Sequence, residues 1–180
     1  MIDWNRNKKI DPVDIGISIA VDSYTSGSLN LINYSFTLIQ EVIPEHNTKG
    51  QIRQYMPHVL YSKRQTSKLH KYGMGPFCRF SISRTWCGIS GVYALYNNHH
   101  LLYIGQCKDF AQRFNMGYGI ISPRNCYVGG QVTNCKINAM ILKEYLDGKK
   151  IYLYFYETID YERVEQKLIN GLNPPYNGRV

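Results

Sequence analysis

The side chains best suited to chemistry in this chain are two tyrosines, one arginine and one glutamate, all in its second half. Tyr93 and Tyr103 lie on neighbouring aliphatic and aromatic stretches, Arg113 follows soon after, and Glu165 lies far downstream. A guanidinium binds phosphate oxygens in a bidentate manner and keeps its charge. A carboxylate can hold Mg²⁺, which retains much of its hydration shell. Hydrolysis of a phosphate ester needs an aligned water and neutralised charge, so these residue types indicate phosphodiester chemistry.

The two tyrosines are predicted to lie on a β-hairpin with a polar tip. A register that pairs Leu95 with Leu101 places Tyr93 opposite Tyr103, on the same face of the sheet. A slip by one residue would send the two phenols to opposite faces. The alternative interpretation is that both are ordinary strand aromatics, which strands commonly contain.

Arg113 and Glu165 are predicted to lie on two helices, over residues 109–116 and 160–172. Glu165 falls within the apolar stripe of the second helix, whose other members are Tyr161, Val164, Leu168, Ile169 and Leu172. Burial of a carboxylate is costly unless the carboxylate is paired or metal-bound. Two interpretations therefore stay open, namely an ion pair with Arg113 and a magnesium site.

The elements around these residues follow from periodicity and from the positions of Gly and Pro. Apolar residues at helical spacing predict a buried helix over residues 28–43, with Ser28 as its cap and Pro44 as its stop. The other predicted elements are short helices around 51–60 and 62–70, a weak strand at 77–82, a helix from 133 or 134 to 146 and a strand at 151–156.

The charge of the chain is strongly positive and unevenly distributed. The formal net charge is +8, and no acidic residue lies between Glu45 and Asp109. Within that window lie the cations Lys49, Arg53, Lys63, Arg64, Lys68, Lys71, Arg79, Arg84 and Lys108. A long acid-free basic run favours a polyanionic partner such as nucleic acid, and the alternative is a solvated basic face.

Cysteine usage and hydropathy bear on the cellular compartment. The five cysteines show no CxxC spacing, and an odd count predicts reduced thiols. The polar N-terminus is not typical of an export signal, and no apolar run reaches the roughly 18 residues of a membrane span. We therefore expect a cytoplasmic protein with no membrane partner.

A longer pattern joins these residues into motifs that follow one another in order. The motifs are Gly91-Val92-Tyr93, Tyr103-Ile104-Gly105, Arg113, Glu165-x-x-Leu168-Ile169 and Pro174-x-Tyr176-Asn177. The pattern resembles the GIY-YIG nuclease family over about residues 88–178, with Val92 at the position of that family's isoleucine. The resemblance does not extend to residues 1–87.

The resemblance implies an α+β fold, with a three-stranded antiparallel sheet flanked by helices, and Mg²⁺-dependent cleavage of nucleic acid, with Mn²⁺ as a substitute. Carried over to this chain, Tyr93 is the general base or water-orienting group, and Tyr103 contacts the attacked phosphate. Arg113 stabilises the charge on the phosphate, and Glu165 binds the single metal ion. Asn177 is expected to hold the surroundings of the glutamate through hydrogen bonds.

Two positions depart from the family pattern. The residue one helical turn after the arginine is Gly117 in place of a histidine or tyrosine, and the neighbouring Tyr118 is the expected substitute. The residue after the second motif is Gln106 in place of a lysine. The residues predicted to contact nucleic acid are Gly105, Lys108, Tyr118 and Arg124.

These observations predict two regions and a leading function. Residues 1–87 are expected to form a basic, mostly helical region for DNA binding, target specificity or dimerisation, and residues 88–180 a GIY-YIG-like nuclease domain. The short chain favours a standalone type II restriction-type endonuclease that acts on double-stranded DNA, with a homodimer as one arrangement. The alternatives are a repair or mobile-element nuclease and a catalytically inactive DNA-binding protein.

Overall fold

A five-stranded antiparallel sheet with helices on both faces forms the centre of the protein. The computed structural model describes residues 27–178, so residues 1–26 of the predicted N-terminal region lie outside the described residues. The strands are β1 (Ser28–Leu31), β2 (Tyr34–Glu41), β3 (Gly91–Asn97), β4 (Leu101–Cys107) and β5 (Ile151–Glu157). Their order in the sheet is β1-β2-β5-β3-β4. The predicted α+β class is confirmed.

Within residues 27–178, three α-helices and several shorter turns accompany the sheet. The helices are α1 (Phe110–Gln112), which continues into a π-helical turn (Arg113–Tyr118), α2 (Val132–Leu146) and α3 (Tyr161–Leu172). Short 3₁₀ turns occur at Pro57–Leu60, Arg84–Trp86 and Pro123–Cys126. The predicted helices at 109–116, 133–146 and 160–172 and the predicted strand at 151–156 are therefore confirmed, with small shifts at their ends.

The predicted helix over residues 28–43 is wrong, because this stretch forms the β1–β2 hairpin. Leu31 pairs with Tyr34 across a turn in which Ile32 has a φ of 54°. The apolar residues Leu29, Leu31, Tyr34, Phe36 and Leu38 also alternate along each strand, and all of them pack into one cluster. Short apolar runs fit both periods, and pairing of β2 with β5 favours the strand.

The hairpin changes two further expectations. Because β2 pairs with β5, the sheet formed by the described residues has five strands, whereas the resemblance implied three. The described part of the N-terminal region is also not mostly helical, since its helical residues are the short 3₁₀ turns at Pro57–Leu60 and Arg84–Trp86. The helix expected at 51–60 is reduced to the first of these turns, and the helix expected at 62–70 does not form. A division of the chain at residue 88 stays a prediction, although strands from both ranges share one sheet.

The sheet separates two apolar clusters, one on each face. One face of β3 places Tyr93 and Leu95 against α1, the π-helical turn and α2. The other face places Val92, Ala94 and Tyr96 in the cluster that holds α3. All seven residues of β3 are buried, because a central strand with both faces covered meets no solvent.

Side-chain amides hold the irregular segment before β3 in place. The predicted strand at 77–82 does not form, and instead the side chain of Asn138 accepts from Cys78 N at 2.9 Å and donates to Cys78 O at 2.8 Å. Asn115 does the same to Ile82, at 2.7 and 3.1 Å. Each amide pairs both the N–H and the C=O of one residue, as a neighbouring strand would.

None of the helices in residues 27–178 is long and apolar enough to cross a lipid bilayer.

Replacing Asn138 with alanine should strongly destabilise the fold. Asn138 is fully buried and also donates to Tyr118 O at 2.6 Å, so Asn138→Ala leaves three buried backbone groups without a partner. We expect a loss of about 3 kcal/mol or more in the free energy of unfolding, measured by urea denaturation. The half-buried Asn115→Ala variant is the matched control, with a loss of about 1 kcal/mol; equal losses would contradict this account.

Candidate functional site

One cleft brings together side chains that the sequence spreads over four elements, which are β3, β4, the π-helical turn and α3. Its volume is about 500 Å³. It is lined by Tyr93, Tyr103, Gln106, Arg113, Tyr118, Gly130, Gln131, Val132, Thr133, Asn134 and Glu165. Both tyrosines, the arginine and the glutamate that were singled out by residue type thus meet in one hollow.

The strand register places the two phenols on one face, although the predicted pairing is displaced by two residues. Leu95 pairs with Tyr103, and Tyr93 pairs with Gly105, while an irregularity follows Leu95. The prediction paired Leu95 with Leu101. A displacement by an even number of residues preserves the face. The rings of Tyr93 and Tyr103 therefore lie on the same side, with centroids 6.3 Å apart.

Gly105 makes room for the tyrosine opposite it. A Cβ atom at this position would lie 2.4 Å from Tyr93 Oη and 2.8 Å from the Tyr103 ring. Real side-chain atoms do not approach so closely, so the ring of Tyr93 crosses the strand pair only because Gly105 has no side chain. Gly105 is therefore a position of close approach within the site.

The π-helical turn explains the departure at Gly117. Gly119 N–H donates to Phe114 O at 2.6 Å, a bond that spans five residues. In such a turn the residue one turn after Arg113 is Tyr118, so the wide turn brings Tyr118 into the position where an α-helix would bring Gly117. The guanidinium of Arg113 lies over the Tyr118 ring, 5.4 Å from its centroid. Tyr118 therefore lies beside Arg113, where the substitute was expected.

Tyr93 and Tyr118 form a buried pair of phenols. Their hydroxyl groups lie 2.7 Å apart, and the residues are 0 % and 1 % exposed. Burial raises the pKa of both phenols, and burial followed by the neighbouring Tyr118 raises the pKa of Tyr103. All three are therefore protonated at neutral pH. A protonated phenol can form hydrogen bonds through its hydroxyl group but is not a free base.

Arg113 is the cation of the cleft. Burial lowers its pKa, but the neighbouring Tyr93, Tyr118 and Tyr103 outweigh that effect and raise it. An arginine keeps its charge at neutral pH in any case. A fixed positive charge against a low-dielectric wall acts more strongly than the same charge in water. Arg113 is therefore placed to bind an anionic group that enters the cleft.

Glu165 reaches the cleft from the opposite face of the sheet. Its neighbours Val164 and Leu168 are buried in the α3 cluster, while Glu165 itself is half-buried and lines the cleft. Burial raises the pKa of the carboxyl group, and Arg113 and a hydrogen bond from the Gln106 backbone partly oppose that rise. None of the ion pairs found within residues 27–178 joins Glu165 to Arg113.

The donor set fits a hydrated magnesium ion. Glu165 is a half-buried carboxylate without an ion-pair partner in the described part of the chain, and it faces a cleft of about 500 Å³. Mg²⁺ is commonly bound through one or two carboxylates and several waters. In residues 27–178 no three His, Cys, Asp or Glu side chains lie close enough to share a metal. Glu165 is the carboxylate in the lining of this cleft that could serve as such a ligand.

Asn177 lies outside the cleft and supports β4. Its side chain accepts from Ile104 N at 2.9 Å and donates to Ile104 O at 2.7 Å. Tyr176 N–H donates to Leu102 O at 3.1 Å, so the segment after α3 covers the outer edge of β4. Asn177 thus holds the strand that carries Tyr103, through hydrogen bonds that join it to Ile104 rather than to Glu165.

The predicted nucleic-acid contacts fall in different places. Lys108 lines a second cleft of about 450 Å³, which shares Gln106, Arg113 and Gln131 with the first. Arg124 is exposed and lies outside both clefts. The two clefts therefore adjoin each other, with Arg113 in the wall of both.

Sequence reasoning missed the contribution of the first turn of α2. Asn134 is 2 % exposed, and its side chain donates to Gln131 Oε1 at 2.6 Å, with both residues lining the cleft. The helix predicted from 133 or 134 begins at Val132, and its cap position is Gln131, which makes no side-chain capping bond. A polar residue at a helix start signals a cap, but it does not show which cavity the helix meets.

All five cysteines are free in the structure, with Cys87 exposed and the others buried.

Comparisons of the chain with protein-family models, with curated proteins and with solved structures find no match. The geometry of the cleft and the order of the motifs are therefore the grounds on which a function is argued.

Removing one buried phenol should make the free energy of unfolding fall less steeply as the pH rises above 10. A phenol with a raised folded-state pKa contributes stability that is complete below the unfolded pKa of about 10 and is lost as the pH rises further. Each such group adds about 1.4 kcal/mol per pH unit to that loss. Tyr118→Phe should therefore make the dependence shallower by about that amount, measured by urea denaturation between pH 10 and 11.

The control for this measurement is Phe110→Leu, a change in the same aromatic cluster that involves no titrating group. It should lower the stability at every pH and leave the slope unchanged. If Tyr118→Phe also left the slope unchanged, Tyr118 would not be a protonated, buried phenol in the folded protein.

Replacing Glu165 with glutamine should stabilise the protein at neutral pH. The folded-state pKa of Glu165 is raised, so its contribution is complete below the unfolded pKa of about 4.3 and is lost as the pH rises. Glu165→Gln avoids the cost of a half-buried charge. The gain in thermal stability over the parent should be greater at pH 7 than at pH 4. The exposed Glu162→Gln variant is the matched control, and a pH-independent difference for Glu165→Gln would contradict the prediction.

Proposed function

We propose that this protein is a magnesium-dependent endonuclease that hydrolyses phosphodiester bonds in double-stranded DNA. The observation that carries the proposal is the convergence of Tyr93, Tyr103, Arg113, Tyr118 and Glu165 on one cleft. Charged and hydroxyl groups of these types serve the three needs of phosphate hydrolysis, which are water alignment, charge neutralisation and leaving-group stabilisation. The motif order that resembles the GIY-YIG family supports the same chemistry.

Arg113 would bind the attacked phosphate. Its guanidinium is charged, half-buried and fixed over the Tyr118 ring, so it can meet two phosphate oxygens at once without losing much side-chain freedom. The positive charge opposes the negative charge that develops on the phosphate during attack. Arg113 also lies where the two clefts join, so the backbone of a bound strand would pass it.

The phenols would orient the attacking water. Tyr93 is held by its 2.7 Å contact with Tyr118, and its pKa is raised by burial, so it enters the reaction as a neutral hydroxyl. A neutral phenol can accept one hydrogen bond while it donates another, which fixes the direction of a water molecule. Tyr103 faces the same cleft and would contact the phosphate.

Glu165 would hold the magnesium ion. When bound, such an ion supplies positive charge that stabilises the phosphate and the leaving oxygen. The carboxylate must be ionised to act as a ligand, and its pKa is raised by burial. Cleavage should therefore weaken at acidic pH as Glu165 becomes protonated.

The proposed substrate follows from charge, and the proposed assembly from the number of clefts. The chain has a formal charge of +8 and no acidic residue between Glu45 and Asp109, which suits a phosphate backbone. In residues 27–178 these five side chains meet in a single cleft, so cutting both strands of a duplex calls for two chains or two encounters. A homodimer that acts as a type II restriction-type enzyme is the form of the proposal that these features favour.

Glu165→Gln should abolish cleavage and leave DNA binding intact. We expect the parent to nick or cut plasmid DNA with Mg²⁺ or Mn²⁺ and not with a chelator. Glu165→Gln should lower the cleavage rate about a thousandfold, equivalent to the several kcal/mol that a bound ion contributes. Glu162→Gln, one turn earlier on α3 and exposed, should cut at the parental rate.

The same assay separates the proposal from its main alternative. A parent that binds duplex DNA and never cuts it with either metal would indicate a DNA-binding protein without catalysis. Cleavage that is equally impaired in Glu162→Gln and Glu165→Gln would argue against a specific metal ligand at Glu165. Sequencing of the cut ends then distinguishes a restriction-type enzyme, which cuts at one sequence, from a nuclease that selects lesions or branched structures.

A further inference from the structure

A basic segment lies beside the cleft and is joined to its wall by backbone pairing. We call residues 58–71 the basic arm and residues 124–130 the wall loop, since Gly130 at its end lines the cleft. Val128 N–H donates to Lys68 O at 2.9 Å, and His70 N–H donates to Cys126 O at 3.2 Å. The position of the basic arm is therefore fixed relative to the cleft.

Arg124 is held in a defined direction on the outside of the wall loop. Its guanidinium donates to Tyr61 Oη at 3.0 Å and to Gly129 O at 3.4 Å. The ring of Tyr61 packs on Tyr127, with centroids 4.8 Å apart, which fixes Tyr61 in turn. Arg124 nevertheless remains exposed. An exposed arginine loses conformational freedom when it is fixed in this way, but its planar donor group is then ready to bind.

The arm carries cations that have no acidic partner in the described residues. Lys63, Lys68 and Lys71 are exposed, as is Arg64, whose guanidinium donates to Val59 O. The ion pairs found in residues 27–178 all involve other cations, and no acidic residue lies between positions 46 and 108 of the sequence. Like charges gathered without counter-charges repel each other, and a polyanion relieves that repulsion.

Arg124 also lies directly behind the cleft wall. A Cβ atom at Gly130 would lie 2.5 Å from Arg124 O and 2.8 Å from Asn125 Cα, so these backbones are in close contact. Arg124 and the basic arm therefore both adjoin the wall of the cleft that contains Arg113.

We propose that the basic arm and Arg124 form the specificity surface of the protein, in which the lysines bind phosphates of a duplex flank and Arg124 reads a guanine edge. The proposal rests on the proposed function, because it assigns a second surface to the same DNA substrate. Lysine suits phosphate as a point charge, whereas a fixed guanidinium matches the two acceptors of guanine in the major groove. Phosphate contacts position the protein, and base contacts select the sequence.

The role of the arm is tested by salt dependence of binding. The test uses full-length Glu165→Gln protein without divalent metal, so that cleavage does not interfere. The slope of log affinity against log salt falls by about 0.9 for each phosphate that the protein no longer neutralises. Lys63→Ala with Lys68→Ala should reduce the slope by about 2. Lys150→Ala with Lys167→Ala, which removes two exposed cations elsewhere, should leave it unchanged, and equal effects of the two pairs would overturn the assignment.

The role of Arg124 is tested by selection of bound duplexes from a random-sequence library, in the same Glu165→Gln background. Arg124→Lys keeps the positive charge and removes the paired donor groups of the guanidinium. The slope of log affinity against log salt should therefore stay the same, while the preference for one guanine should fall by about tenfold or more. Tyr61→Phe, which releases the guanidinium, should weaken that preference in the same direction. Arg163→Lys is the control and should select as the parent does. An unchanged preference in Arg124→Lys, or a parent that selects no sequence, would overturn the base-reading role.

These outcomes distinguish the specificity surface from the proposed function. A parent that shows the expected slopes and preference and never cuts DNA would refute the nuclease and leave the surface standing. If the parent cuts DNA but the substitutions in the basic arm leave its binding unchanged, the specificity surface alone would be refuted. A parent that binds no duplex at any salt concentration would refute both.

Discussion

The close approach of Tyr93 to the backbone of Gly105 is the contact on which the candidate site depends. The phenol of one strand lies over its partner strand, in space that any side chain at Gly105 would fill. From there its hydroxyl meets Tyr118, and its ring meets Phe114 at 5.0 Å between centroids. The π-helical turn that carries Arg113 is thus packed around a ring whose position a glycine makes possible. A residue with no side chain sets the geometry of the groups that do the chemistry.

A second constraint is that much of the chain around the site has no regular partner for its backbone. Three asparagines meet this need in the same way, because each pairs both backbone groups of one residue: Asn138 with Cys78, Asn115 with Ile82 and Asn177 with Ile104. A buried backbone group without a partner costs as much as a missing hydrogen bond. The amides therefore satisfy backbone groups that have no neighbouring strand. Asn115 lies in the π-helical turn and Asn138 lies in α2, and both of these elements also line the cleft.

Glu165 is the group in the cleft that acts against the stability of the fold at neutral pH, whereas the protonated phenols beside it do not. Burial raises the pKa of Tyr93, Tyr103 and Tyr118, and it raises the pKa of Glu165 in spite of the opposing effect of Arg113. The carboxylate accepts a hydrogen bond from the Gln106 backbone and lies near Arg113, but it is half-buried and has no ion-pair partner within residues 27–178, so its charged form is costly. Perturbed ionisable groups that meet in a cleft are typical of functional sites. The proposed metal site accounts for this cost, because a bound cation would replace the solvation that the carboxylate loses.

The sequence by itself determined the local elements and the identity of the reactive groups, because period, capping and residue type act over a few positions. It placed α2, α3 and β5, and even a register displaced by two residues kept Tyr93 and Tyr103 on one face, since parity decides the face. It did not determine the β1–β2 hairpin, because residues 28–43 satisfy two periods and only pairing with β5 selects one. Tertiary structure alone brought Glu165 around from the opposite face, turned Asn134 into the cleft and moved Asn177 to the edge of β4. Those outcomes depend on packing between residues far apart in the chain, which no local pattern records.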